Sequence, residues 1–549
     1  MAFRLLGVRL LGGMSKKVSV PYSEHWRQVC TANLAHYGRF KDQYGISSYF
    51  CISGFAALMF AGGIQNAVAE TETNDGMNRS REASMSEGSL YNADFAEVMT
   101  NEHARRWREY TNKGHALFSE GKSNEAETYF LLALEEAKQG FGLIHPQVAS
   151  SYSNLAELYR MERKFEKAEP LYLEAIELLE VTLGPEDLRV GFALHNLGGF
   201  YVMQHKLEQA QNCYERALKI KRRILGLNHP DYANTMFQLG QVLRLQGNLG
   251  DAEILTRDSI RILEQGGLGH SQIIIKRMGH LAQILLDMNQ LQEAENLQRK
   301  ILHILEVSKG LDSLDTSTAA EKLALTIQSL GSLDEAQELL QRSINVKQKL
   351  LPENHIQIGE SMLKLARVAM LKASRNKKVN AIEAELELEK AKELLSGAIS
   401  RIADLATELL ISATSDDETI HKRPTKEEKD AQVALLTLMQ SLDALGTLEI
   451  SMLELHQEAQ EKSKDIAKAE EAVRKCISAV KKPGIPERIV KLEPIRREYL
   501  SCLQHLVGLL SRTSVEKNKQ IKEELRQLNK EIAQIEADLG IKRPKRFFW

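Results

Sequence analysis

The sequence is poor in proline, cysteine and aromatic residues: 549 residues hold 11 prolines, five cysteines and 6% Phe, Trp and Tyr. Few prolines leave long stretches free to be helical. Leu, Ala, Glu, Lys and Gln dominate instead, a profile that favours a mostly helical, soluble body. The cysteines are Cys30, Cys51, Cys213, Cys476 and Cys502, and none stand as C-x-x-C. A disulfide framework is not indicated, and the cysteines read as small hydrophobes in helices.

Net charge is also missing. The chain has 72 basic and 74 acidic side chains, a balance of −2. Nucleic-acid binding by bulk electrostatics needs a basic domain or stripe, so that class is disfavoured. No phosphate-cradling glycine loop, dinucleotide fingerprint, H-E-x-x-H pair or G-x-S-x-G elbow occurs. The 15 histidines are scattered without metal spacing. His145 and His229 each precede a proline, where a helix start or turn is the expected role. The many carboxylates read as solvated faces of amphipathic helices. The expectation is therefore a protein that is no enzyme and has no cofactor, no metal and no catalytic residues.

The opening is different in kind. Residues 1–42 hold seven cations (Arg4, Arg9, Lys16, Lys17, Arg27, Arg39, Lys41) against Glu24 and Asp42. An acid-poor, Arg-bearing amphipathic start reads as a transit peptide, with mitochondrion favoured over plastid. No charge occurs from Gln43 to Ala69, and residues 45–64 are apolar enough to span about 30 Å as a helix. Three readings stand: a single-pass anchor, a two-part sorting signal cut after Ala69, or a buried helix. For the anchor, cations before the run and acids after it place the body opposite the matrix, in the intermembrane space. Residues 70–103 read as a flexible linker.

Length alone suggests three or four domains at about 150 residues each. A repeat array removes that arithmetic, because it grows by stacking. One pattern recurs every 42 residues. Its first anchor is Leu155-Ala156, Leu197-Gly198, Leu239-Gly240, Leu281-Ala282, Leu323-Ala324 and Leu365-Ala366. Its second is Ala126, Ala168, Ala210, Ala252, Ala294 and Ala336. Gly114 completes the first unit. A fixed period in this range is the signature of a solenoid.

Leu155, Leu158 and Tyr159 share one helical face, and Phe165, Ala168, Tyr172, Ala175 and Leu179 share a second. The small residues at 156 and 168 let the two helices cross closely, and a polar turn at Glu162-Arg163-Lys164 joins them. The expected fold is all-α, a right-handed superhelical solenoid of antiparallel helix pairs.

The small residue of the first helix and the Ala, aromatic, Ala of the second (Ala168, Tyr172, Ala175; Ala210, Tyr214, Ala217) resemble the tetratricopeptide repeat. The longer unit is similar to that of kinesin light chains. The G-x-x-H-P connector of that class stands here as Gly142 to Pro146 and Gly226 to Pro230. The resemblance covers residues 104–372. It weakens where the second-helix aromatic becomes Thr256 and Gln298. The heptad segment of kinesin light chains is replaced by the leader.

After Leu371 the register breaks, and Lys390-Ala391-Lys392 reads as a displaced second-helix anchor. Residues 413–430 read as a charged loop. Helices at about 431–480 and 488–539 read as degenerate hairpins capping the array, so that 373–549 form its end.

The resemblance implies a concave face lined by first helices, with a protein or peptide as ligand. One polar column precedes the Leu anchor: Asn154, Asn196, Gln238, His280, Lys322 and Lys364. A second includes Arg160 and Arg244. Amides clamp an extended backbone and cations favour acidic ligands. An ordinary solvated face is the competing reading. The basic-aromatic end, residues 541–549, either touches an anionic surface or a partner, or is an inert terminus.

The leading functional expectation is an organellar scaffold or assembly factor. In layout it is similar to a mitochondrial tetratricopeptide protein that assists respiratory complex III. The alternatives are a cytosolic cargo adaptor and a non-catalytic regulatory subunit of an enzyme complex.

Overall fold

A computed structural model describes residues 102–267, 271–377, 379–412, 426–455, 459–482, 485–512 and 519–541. The leader, the hydrophobic run, nearly all of the segment read as linker, and the tail beyond residue 541 lie outside the described residues. Those residues are helical throughout and divide into two units, Met1–Ile262 and Leu263–Trp549.

The first unit holds α1 (Glu102–Ser119), α2 (Ser123–Phe141), α3 (Pro146–Met161), α4 (Phe165–Leu183), α5 (Leu188–Met203), α6 (Leu207–Leu225), α7 (Pro230–Leu245) and most of α8 (Leu249–Gln265). Odd-numbered helices are the first helices of each repeat, and even-numbered ones the second. α1 packs on α2, α3 on α4 and α5 on α6, and each pair packs on the next.

The second unit holds α9 (Gln272–Asp287), α10 (Leu291–Lys309), α11 (Leu314–Leu330), α12 (Leu333–Leu350), α13 (Ile356–Asn376) and α14 (Ala381–Ser412). It continues with α15 (Lys426–Leu453), α16 (Ala459–Lys481), the one-turn α17 (Glu487–Val490), α18 (Glu493–Arg512) and α19 (Lys519–Asp538). The stretch read as a charged loop to residue 430 is shorter than expected, since α15 begins at Lys426. Ala391 is fully buried in α14.

Local chemistry sets the helix ends. His145 Nδ1 accepts the Gln147 N–H at 3.2 Å with Pro146 in the first turn. His229 does the same for Asp231 at 3.1 Å, before Pro230. His355 repeats the device for Gln357 at 3.2 Å. Each cap satisfies one of the N–H groups that a helix leaves unpaired, for about 1 kcal/mol. The turn inside each pair needs one left-handed residue, and Gly121, Arg163, His205, Gly247, Asn289 and Gly331 fill that place at 42-residue steps with φ from 58° to 91°.

Packing explains the small-residue anchor. A Cβ at Gly198 would sit 2.8 Å from the Tyr214 ring, and one at Gly114 would sit 2.7 Å from Phe130. At Gly240 the neighbour is Thr256 Oγ1, 2.9 Å away. Ala126, Ala156, Ala168, Ala210, Ala252, Ala294, Ala324, Ala336 and Ala366 have no exposed surface. Interiors packed this closely accept no extra methylene without strain.

Ion pairs at a fixed offset link successive second helices. Arg216 pairs with Glu180 at 2.5 Å in the first unit. Lys300 pairs with Glu264 at 3.0 Å and Arg342 with Glu306 at 2.8 Å in the second. Asp258, at the equivalent position between these, pairs instead with Arg261 at 2.9 Å.

The reading of the cysteines changes. Cys476 on α16 and Cys502 on α18 are disulfide-bonded, with Cα atoms 6.4 Å apart, so these two are a covalent staple and not merely small hydrophobes. Their separation of 26 residues has no motif spacing; the turn around α17 brings them together. α15 is long and apolar enough over 428–453 to cross a membrane by composition, but an 18-residue apolar stretch within it is 67% buried, as in a core helix.

Candidate functional site

The candidate residues lie on first helices, at the position just before the buried Leu anchor. In the first unit this column is amide. It begins one repeat earlier than the sequence reading placed it, at exposed Asn112, and continues through half-buried Asn154 and Asn196 to Gln238. Gln238 is only 4% exposed, and its Oε1 accepts from Gln241 at 3.5 Å.

Arg160 differs from the expectation of a solvent-facing cation. It is 4% exposed, and its Nε donates to Glu157 Oε2 at 2.8 Å. That same carboxylate oxygen accepts from the Tyr172 hydroxyl at 2.7 Å. Glu157 therefore ties α3 to α4, and Arg160 Nη1 lies 2.7 Å from Met203 Sδ on α5. These contacts with Glu157 and Met203 bury Arg160, which the sequence pattern alone does not reveal. Arg244, at the same repeat position, is half-buried.

In the second unit the column is basic. His280 and Lys364 are half-buried, and Lys322 is exposed. One helical turn further along α13 stands exposed Arg367, and one turn before His280 stands half-buried Lys276. Spacings of three and four residues put these side chains on one stripe of their helices. Lys364 is partly committed: its Nζ donates to Glu321 at 2.7 Å.

Glu321 organises a buried polar cluster beneath this stripe. It is 4% exposed and accepts from Lys347 Nζ at 2.6 Å and from Ser343 at 2.6 Å. Lys347 also donates to Ser361 at 2.9 Å. Burial pushes the Glu321 carboxyl up, but Lys364 and Lys347 together outweigh it and hold the group down at about 2. Glu321 is thus ionised at neutral pH, and its hydrogen bond holds Lys364 in place on α13.

A further group joins α15 to α18. Asp443 accepts from Ser501 at 3.0 Å and lies 2.7 Å from His505 Nδ1. The hydrogen bond to Asp443 raises the His505 pKa, and burial opposes it. The sequence reading missed both clusters, because their members are far apart in the chain. For the Glu321 cluster the available signal was a lysine, Lys221 and Lys347, at one repeat position three periods apart; the Asp443 cluster lies beyond the repeat register and had none.

Residues 109–180, 189–265 and 272–349 match the tetratricopeptide repeat family. These stretches, less than half of the chain, are where the sequence matches that repeat. No curated protein sequence matches it significantly. Among solved structures, the chain is similar to the kinesin light chain TPR-like repeats of Podosopora anserina, at 21% identity over 38% of this chain and 98% of that one, with a TM-score of 0.36. It is similar to PilF of Pseudomonas aeruginosa at 17% identity, over 46% and 94%, with a TM-score of 0.33. It is also similar to a signal-transduction ATPase with a tetratricopeptide repeat sensor from Pyrococcus horikoshii, at 12% identity over 81% and 54%, with a TM-score of 0.42. Tetratricopeptide repeats generally bind protein or peptide partners, which supports an interaction role for the matched stretches.

Proposed function

We propose that this protein is a non-catalytic scaffold that holds an extended, acidic segment of a partner protein against the first helices of its second unit. The observation that carries this reading is the exposed pair Lys322 and Arg367, standing at repeat positions where the first unit has Asn112, Asn154, Asn196 and Gln238 for the one and His115, Glu157, Gly199 and Gln241 for the other. Cations in such a stripe attract carboxylates and speed encounter, and the gain falls as salt rises. The amide column of the first unit suits backbone contacts with the same kind of ligand.

The test is a paired affinity purification of full-length protein and its Lys322→Glu/Arg367→Glu variant. Both residues are exposed, so folding is expected to be unchanged, which circular dichroism checks. The expected result is selective loss of the partners that low salt retains. Retention of the same partners at the same salt resistance would remove the second unit's basic stripe from the function.

We place this scaffold in mitochondria, at the inner membrane or in the intermembrane space, as an assembly factor for a membrane complex. The support is the acid-poor leader followed by the apolar run at 45–64. A fluorescent protein carrying residues 1–75 is expected to enter mitochondria. If it stays in the cytosol, the cargo-adaptor reading replaces this one. N-terminal sequencing of the mature chain distinguishes cleavage after Ala69 from a retained anchor.

A further inference from the structure

The first unit buries an amine with no acid beside it. Lys221 on α6 is 1% exposed, and its Nζ donates to Thr235 Oγ1 on α7 at 3.0 Å. Thr235 Oγ1 also lies 3.0 Å from His195 Nδ1 on α5. The Lys221 Nζ sits 4.4 Å from the centroid of Phe192 on α5. Among the described residues it forms no ion pair. Two more polar atoms at this joint, His195 Nε2 and the Tyr214 hydroxyl, are buried without a hydrogen-bond partner. Their rings meet edge-on at 5.4 Å.

The repeat shows what is missing. Three periods further on, the positions of His195, Lys221 and Thr235 are taken by Glu321, Lys347 and Ser361. There the buried lysine has a carboxylate at 2.6 Å. Here an imidazole stands in that place. Asp231 on α7, with His229 Nδ1 3.6 Å from its carboxylate, is the other charged group acting on the amine, and Tyr214 on α6 lies against His195. Asp231 acts on Lys221 only at longer range.

We propose that the joint between α5, α6 and α7 is a pH-sensitive hinge, closed while Lys221 is neutral and loosened when it gains a proton. A charge in this place is desolvated and meets a hydroxyl and a ring, but no counter-ion. Burial pushes the Lys221 amine down to about 7, with Asp231 pulling the other way. Burial, with help from Lys221, also holds His195 well below its ordinary value. Opening the hinge lets solvent reach the amine, which then takes up a proton at any pH below its ordinary range near 10.5. Opening therefore becomes easier as pH falls from there towards 7. Asn196 follows His195 on α5 and Gln238 lies on α7, so loosening shifts the two amide positions against each other. The hinge rests on the burial of Lys221 without a counter-ion and stands or falls independently of the acidic-ligand reading.

Hydrogen exchange by mass spectrometry on the full chain tests it, with rates corrected for the intrinsic pH effect. Segments 188–203, 207–225 and 230–245 are expected to lose protection by up to about tenfold per pH unit between pH 9 and 7. Segments 314–330, 333–350 and 356–376 are the internal control and are expected to hold steady. Lys221→Met should abolish the dependence and keep the protection. His195→Glu, which copies the later joint, should do the same by supplying a counter-ion. Protection that does not vary with pH in the wild type, or that varies equally in Lys221→Met, overturns the hinge.

Discussion

Lys221 and Lys347 occupy the same repeat position, 126 residues apart, and only Lys347 has a carboxylate within hydrogen-bonding distance. Both are almost wholly buried. One period can therefore place a lysine in the core in two electrostatic settings. In the second unit the charge is paired and hydrogen-bonded; in the first it is not.

The same substitution should thus have opposite signs at the two sites. Lys221→Met removes an uncompensated buried amine, and at pH 7 it should stabilise the protein by about 1–3 kcal/mol. Lys347→Met leaves Glu321 with Lys364 and two hydroxyls, and should destabilise by about 3 kcal/mol. Urea unfolding midpoints of the two variants check this. Shifts in the same direction would show that the surroundings of the two lysines are not what the geometry implies.

Much of the fold is legible in the sequence because packing repeats. Gly198 is small for the reason the period suggests, since Tyr214 presses on the crossing, and Ala156 is fully buried at the same repeat position. His145 and His229 begin helices, as the following prolines imply. The candidate site is less legible. Arg160 reads as a surface cation, yet Glu157 draws it into the helix interface. Glu321 reads as one of many solvated acids, yet it sits between Lys347 and Lys364 from two other helices. Polarity patterns report which face a residue is on, but not whether a partner from 26 or 43 residues away closes over it. Cys476 and Cys502 escaped notice for the same reason.

Gly198→Ala should cost about 1–2 kcal/mol, because the added Cβ meets the Tyr214 ring. Gly198→Leu should cost more. Tyr214→Leu should recover part of the loss in the double variant, since the two residues touch and their effects are not additive. Thermal melts of the four proteins give the coupling. Strict additivity would mean that the ring moves aside freely.

Acid should weaken the second unit through Glu321. Its carboxyl is held at about 2 in the folded protein, against an ordinary value of 4.5. The folded state thus binds fewer protons, and the stabilisation is complete above 4.5 and is lost as pH falls towards 2. Exchange protection of residues 314–350 should decline over that range. In Glu321→Gln the decline should flatten, from a lower starting protection at pH 6. A wild-type profile that is flat down to pH 3 would contradict the Lys347–Glu321–Lys364 arrangement.

The staple between Cys476 and Cys502 should matter most for the chain's end. Closing a loop of 26 residues restricts the unfolded chain and is worth about 3 kcal/mol in the loop-entropy model. Peptide mapping without reductant should recover one cross-linked pair joining α16 to α18. Adding reductant, or making Cys476→Ala/Cys502→Ala, should increase exchange in 459–481 and 493–512 and leave 314–350 unchanged. Because both sulfurs are fully buried, reduction should need either denaturant or prior opening of these helices. Rapid reduction under native conditions would instead show that α16 and α18 part readily, and that their packing contributes little to holding the end of the second unit together.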